Sequence, residues 1–117
     1  MHQLLNHPLY RLAISDHPTR HFFRAISTGN QSDVKHFIDA GASLSEKGEG
    51  GWTALHNSAF NGHDAICQLL INEGADIEAV DNLGGTPLHK ATHDDHTSAV
   101  GCLLNASANV HAVDKRG

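Results

Sequence analysis

The chain has 117 residues, with 13 Asp and Glu against 8 Lys and Arg, and a formal charge of −5 at pH 7. That balance excludes a broad phosphate-binding face, which needs clustered Lys and Arg, so nucleic acid is not an expected partner. No apolar run approaches the roughly 20 residues that span a bilayer, and the first fifteen residues lack the basic start and unbroken apolar stretch of a secretory signal.

An internal repeat sets the organisation. Thr53, Leu55 and His56 return 33 positions later as Thr86, Leu88 and His89, and Ala75, Ile77, Ala79, Val80 and Asp81 return as Ala108, Val110, Ala112, Val113 and Asp114. Read backwards at the same offset, Leu55, Ser58, Gly62, Gly74, Ala75 and Ile77 fall on Phe22, Ala25, Gly29, Gly41, Ala42 and Leu44. The chain divides into a leader or capping helix over 1–18, a degenerate first repeat over 19–51, a second over 52–84 and a third over 85–117. Arrays of this kind have no single central core and are held by contacts between neighbouring repeats.

In the leader, Leu5, Leu9 and Leu12 have helical spacing and Pro8 suits a first turn. A short helix capping repeat one and a frayed leader are both compatible with this pattern. Asp16-His17-Pro18 then punctuates the chain. Repeat one predicts a helix over 19–28, a turn at Gly29 and a second helix over 32–40 closed by Gly41, with Phe22, Ala25, Ile26, Val34, Phe37 and Ile38 on the buried faces. The run Gly48-Glu49-Gly50-Gly51 reads as a loop tip whose turns need positive φ.

Repeat two follows the same plan with Thr53 as a helix cap, Gly62 at the turn, and Ile66, Leu69 and Leu70 as the buried stripe of its second helix. From Ala75 to Gly85 an apolar/polar alternation predicts an extended, hairpin-like loop. Repeat three opens with Thr86 as cap and Pro87 at the first helical position, and Val100, Leu103 and Leu104 supply its stripe. It departs from the plan where Asp95 replaces the turn glycine, Ser107 replaces the closing glycine and Gly101 sits inside a helix. These changes predict the least stable of the three repeats. The sequence halts at Gly117, where a fourth repeat would begin, which suggests a fragment of a longer array.

Residues with catalytic or metal-binding potential form no strong motif. Cys67 and Cys102 lie 35 apart with no zinc-type spacing; Cys102 is expected as a small core residue and Cys67 as an ordinary helix residue. His89, His93 and His96 would share a face of a continuous helix, but His89 and His96 repeat His56 and His63, and a turn near Asp95 would separate them. Hydrogen bonding within or between the Thr-x-x-His turns is the expectation for His56 and His89. No metal, cofactor or nucleophile motif is expected.

Thr53 to His63, TALHNSAFNGH, and Thr86 to Ala91, TPLHKA, each followed by a helix and then GADIEAVD or SANVHAVD, resemble the ankyrin repeat. The resemblance covers residues 20–117. It implies an all-α solenoid of stacked antiparallel helix pairs joined by β-hairpin-like loops, with no catalytic machinery. An intracellular, cytoplasmic setting is the expectation from the sequence's lack of a signal-like start and of a spanning run, and a monomer is expected. The resemblance also implies a protein partner bound through the loop tips and the concave face of the first helices. On that plan the solvent-facing positions are Arg24, Ser27 and Thr28, then Asn57, Phe60 and Asn61, then Lys90, His93 and Asp94, with Trp52, Gly85, Asn82 and Leu83 at the loops. Arg24, Trp52, Asn57, Phe60, Leu83, Lys90 and His93 are the candidate contact residues. Trp52 and Phe60 stand out as anchors, unless Trp52 folds over a neighbouring loop and Phe60 packs against the leader or repeat one. Rival readings are a targeting segment of a larger enzyme or channel and a histidine-rich metal-binding module.

Overall fold

The structure is a computed structural model that describes residues 18–93 and 95–106. The leader, Asp94, Ser107 and the chain end at Gly117 therefore lie outside the described residues. The described residues form three helix pairs: α1 (Pro18–Thr28) with α2 (Gln31–Asp39), α3 (Ala54–Phe60) with α4 (Asp64–Asn72), and α5 (Pro87–His93) with α6 (Thr97–Asn105). The first helices pack in the order α1, α3, α5 and the second helices in the order α2, α4, α6, so each pair meets only its neighbours. No helix among the described residues is long and apolar enough to cross a membrane.

Each pair is closed by the same backbone chemistry. The amide of the residue after the turn reaches back five positions: Asn30 to the Ala25 carbonyl, His63 to Ser58 and His96 to Ala91, each at 3.0 Å. The residue before it must then be left-handed. Gly29 has φ 77° and Gly62 φ 73°, and Asp95 adopts φ 57° in the third pair. A non-glycine residue pays a steric cost there that glycine does not, and Asp is among the side chains that bear it best.

The second ends repeat as well, with Ala42 N–H to the Phe37 carbonyl and Ala75 N–H to the Leu70 carbonyl, both at 2.9 Å. Gly41 and Gly74 supply the positive φ that this closure needs.

The buried faces follow the helical spacing. Phe22, Ala25, Ile26, Val34 and Phe37 fill the first pair, Leu55, Ala59, Ile66, Cys67 and Leu70 the second, and Ala91, Ala99 and Leu103 the third. Three expectations are corrected. Leu104 is 42% exposed and Val100 only partly buried, and Ala99 and Leu103 take the fully buried positions of α6. Leu69 is half-buried beside fully buried Ile66 and Leu70. The cysteines exchange roles: Cys67 is fully buried against Ser58 Oγ at 3.1 Å, whereas Cys102 is half-buried and its thiol meets Gln68 Oε1 at 3.2 Å. Burial pushes the Cys67 thiol up to about 11, so it is protonated and unreactive at neutral pH.

Between the pairs the loops stack through backbone. Asn82 N–H donates to the Gly50 carbonyl at 2.9 Å, and Asp81 N–H donates to Gly85 O at 2.9 Å. The 75–85 segment is thus a turn-closed loop, and no strand is formed among the described residues. A side chain at Gly51 would collide with the Asn82 backbone and amide group, and Gly51 also has φ 78°. Glycine is required there on both counts.

These contrasts order the glycine substitutions. The left-handed conformation alone costs a non-glycine residue about 1–2 kcal/mol, so Gly74→Ala, which meets nothing within 4 Å, loses that much. Gly51→Ala loses more. Gly101→Ala, also in open space but inside α6, gains about 0.5–1 kcal/mol from helix propensity. Urea unfolding followed by circular dichroism checks the order of midpoints: Gly101→Ala highest, then the native chain, Gly74→Ala and Gly51→Ala.

Candidate functional site

The loops and first helices enclose two depressions on either side of Trp52. Their geometry begins with His56. Thr53 caps α3: its Oγ1 accepts from His56 N–H at 3.4 Å, and the His56 ring returns to the cap, its Nδ1 accepting from Thr53 N–H at 3.1 Å. With Nδ1 an acceptor, Nε2 carries the proton and donates to the Gly85 carbonyl at 2.8 Å. Burial pushes the imidazole below its ordinary pKa, which keeps it in this neutral form. One side chain thus fixes a helix start and ties it to the next loop. Thr86 and His89 repeat the cap, with Thr86 N–H to His89 Nδ1 at 2.9 Å.

The histidines at the other ends of the pairs link repeats too. His63 Nε2 lies 3.0 Å from the Ser27 carbonyl, and its ring sits against Gly29; the His96 ring sits against Gly62. His96 is thereby turned toward the second pair. No group of three or more His, Cys, Asp or Glu side chains among the described residues is arranged to hold a metal ion.

The strongest electrostatic feature is a buried ion pair. Lys90 Nζ meets Asp81 Oδ2 at 2.5 Å, with the two side chains 5% and 1% exposed. The other Asp81 oxygen accepts from Leu83 N–H at 2.9 Å and Gly85 N–H at 2.8 Å, so the carboxylate also shapes its own loop. Burial opposes ionisation of Asp81, but the Lys90 ammonium and these two amides outweigh it and hold the carboxyl at about 2. Lys90 is therefore not the solvent-facing residue that the repeat plan implies. It turns inward because Asp81 offers a charge partner and Trp52 a π-face, its Nζ lying 4.5 Å from the Trp52 ring centroid.

Trp52 continues the chain of contacts. It meets Phe60 edge-on at 5.1 Å between centroids, and Phe60 in turn lies 6.4 Å from His93. Both aromatics are half-buried, not fully exposed as the plan suggests, and they lean on each other and on repeat three. An edge-on aromatic pair contributes about 0.5–1.5 kcal/mol beyond its area.

The wider depression, about 730 Å³, is lined by Arg20, Phe23, Arg24, Ser27, the 48–50 loop, Trp52 and Asn57. The narrower, about 290 Å³, is lined by Gly50, Trp52, Phe60, Asp81, Asn82, Leu83, His89, Lys90 and His93. The seven residues singled out from sequence are therefore brought together around Trp52: Arg24 and Asn57 on one side, Phe60, Leu83, Lys90 and His93 on the other. Arg24, Leu83 and His93 are exposed and Asn57 is half-buried. Ser27, Thr28, Asn61 and Asn82 are exposed as the plan implies, while Gly85 is buried under the ion pair.

Sequence reasoning missed Arg20, Phe23 and Asp81. Arg20 precedes Arg24 by one helical turn, a signal that the repeat comparison obscures because Arg20 occupies the place of the capping Thr53. Phe23 stands where His56 and His89 stand, and its ring packs against Gly48 of the following loop. Asp81 carries no signal in the sequence beyond its place in the repeat.

Asp81→Asn alone leaves Lys90 buried without a charge partner and costs about 3–5 kcal/mol. Adding Lys90→Met is expected to restore most of that loss. The pH dependence has a definite sign. Because the folded pKa of Asp81, about 2, lies below the ordinary carboxylate value, its stabilisation is present above pH 4 and is lost as pH falls toward 2. The native chain loses about 2 kcal/mol across that window through this group, and the double variant is flatter by that amount in acid-titrated urea unfolding.

Comparison with known proteins agrees with the geometry. The family model for ankyrin repeats, in three copies, matches residues 22–114. Human ankyrin repeat domain-containing protein 39 is 38% identical over 52 residues, which are 44% of this chain and 28% of that protein. The matched segment is thus under a third of that relative's length. With stacked helix pairs, Thr-His caps and a family match that covers most of its length, this chain belongs to the ankyrin-repeat family.

Proposed function

We propose that this chain is a non-catalytic protein-binding module whose partner lies along the loop tips and first helices on both sides of Trp52. Ankyrin repeats are generally protein–protein interaction modules. The observation that carries the reading is the Trp52–Phe60 pair: two large, half-buried aromatic side chains in edge-on contact, Trp52 between the two depressions and Phe60 in the wall of the narrower. Aromatic groups held rigid by their neighbours lose little entropy on binding, and such groups dominate the energetics of interfaces. In this reading Arg24, Asn57, Leu83 and His93 touch the partner, and Lys90 acts as a positioning residue that holds Trp52 from below.

The test uses the full chain as bait. Proteins captured by the native chain are quantified against Trp52→Ala/Phe60→Ala, with circular dichroism and thermal unfolding to confirm that the variant folds. Because that variant removes packing, Leu83→Glu serves as a second probe at a 43% exposed position that carries none of the core. Loss of a hot-spot aromatic costs about 2 kcal/mol or more, so retention should fall about thirtyfold with the double variant. Lys35→Ala, on α2, should leave capture unchanged. Equal capture by the native chain, the double variant and Leu83→Glu would remove this face from the assignment.

A further inference from the structure

The two depressions differ in charge, and the difference follows from where the repeat breaks its own pattern. In the 75–85 loop Asp81 pairs with Lys90, and the pair forms part of the lining between loop and helix. The equivalent positions one repeat earlier are Gly48 and Asn57, so no ion pair can form there. Phe23 comes up against Gly48 instead, and among the described residues the hollow between α1 and the 48–52 loop stays open. Its floor is aromatic, from Phe23 and Trp52, and its wall carries Arg20 and Arg24.

Those two arginines are set apart from the other cations among the described residues. Lys90 pairs with Asp81; Lys35 pairs with Asp39 at 3.2 Å and Glu73 at 3.4 Å; Lys47 donates to the Val80 carbonyl at 2.8 Å. Arg20 and Arg24 form no ion pair among the described residues. Both are exposed, and they sit four residues apart on α1, where like charges repel and cost the helix a few tenths of a kcal/mol. Among the described residues of the lining only Glu49 offsets them, in a chain whose formal charge is −5.

We propose that this depression receives an acidic protein segment, whose Asp or Glu carboxylates meet Arg20 and Arg24 while an apolar side chain next to them lies on Phe23 and Trp52. The proposal rests on the protein-binding reading above and narrows it to one partner chemistry. Guanidinium groups take carboxylates through paired N–H donors, and a charge-assisted bond beside an apolar floor is stronger than one in open water. A polyanion such as nucleic acid fits less well, since two cations cannot offset its repulsion by the rest of an acidic chain.

A random-peptide display library selected on the full chain tests this, with affinities of the recovered peptides measured by fluorescence polarisation. Recovered peptides should carry Asp or Glu beside an apolar residue. Replacing their acids by Asn or Gln, or replacing Arg20 and Arg24 together by Glu, should weaken binding about tenfold, as expected for two exposed ion pairs. Arg20→Lys/Arg24→Lys should keep most of the affinity, and peptides with Lys in place of the acids should regain binding to the Glu variant. Neutral or basic peptides whose binding survives the Arg substitutions but is lost with Trp52→Ala would overturn the acidic partner and leave the binding module standing. Recovery of no peptide, or of peptides indifferent to Trp52, Leu83 and both arginines, would overturn both. Arg-dependent binding of single-stranded DNA or of phosphatidylcholine–phosphatidylserine vesicles more tightly than the peptides would overturn it in favour of those ligands. A dimer in sedimentation that Arg20→Glu/Arg24→Glu abolishes would assign the depression to a second copy.

Discussion

The Asp81 carboxylate is the point on which the candidate site depends. One of its oxygens gathers the Leu83 and Gly85 amides and so sets the turn of the 75–85 loop; the other holds the Lys90 ammonium out of solvent. Lys90 then lies against Trp52, and Trp52 against Phe60. A charge buried this deeply is tolerated only because its donors are all in place, since partial satisfaction of a buried ion costs more than its complete absence. The loop, the lysine and the tryptophan therefore act as one unit.

His56 does comparable work without charge. It reads the start of α3 with one nitrogen and the far loop with the other, which couples the register of a helix to the position of a loop 29 residues on. Phe23 occupies the same place in repeat one and can make neither bond. It couples to its loop by packing under Gly48. The first two repeats thus solve the same geometric problem by hydrogen bonding in one case and by an aromatic contact in the other.

Most of the fold was legible in the sequence because its determinants are local or periodic. Thr53, Gly29, Gly62, Gly41 and Gly74 each meet a requirement of backbone geometry that the residue type announces, and the 33-residue offset carries the requirement from repeat to repeat. The clustering of the candidate residues around Trp52 was legible, their orientation less so. A repeat plan tells which positions face outward on average, yet Lys90 turns inward because of a partner nine residues earlier whose carboxylate no periodicity marks as buried. The partial burial of Trp52 is equally unmarked by periodicity, as it comes from Lys90, Phe60 and His56 together. The exchange of roles between Cys67 and Cys102 goes with the burial pattern of α6, where Ala99 and Leu103 are fully buried, Cys102 is half-buried and Leu104 is exposed.

The backbone bond from Asn82 to the Gly50 carbonyl has one more consequence. It makes the wall of the wider hollow a shared property of two repeats: the loop that shapes the hollow is clamped by the loop beyond it, which is itself wound around Asp81. A change that loosened the third repeat would therefore be felt at Trp52 and at the mouth of the hollow, although among the described residues beyond Gly51 only Trp52 and Asn57 line it. In an array whose units touch only their neighbours, recognition at one repeat inherits the stiffness of the next, and shortening the array would blunt the site before it removed a single contact.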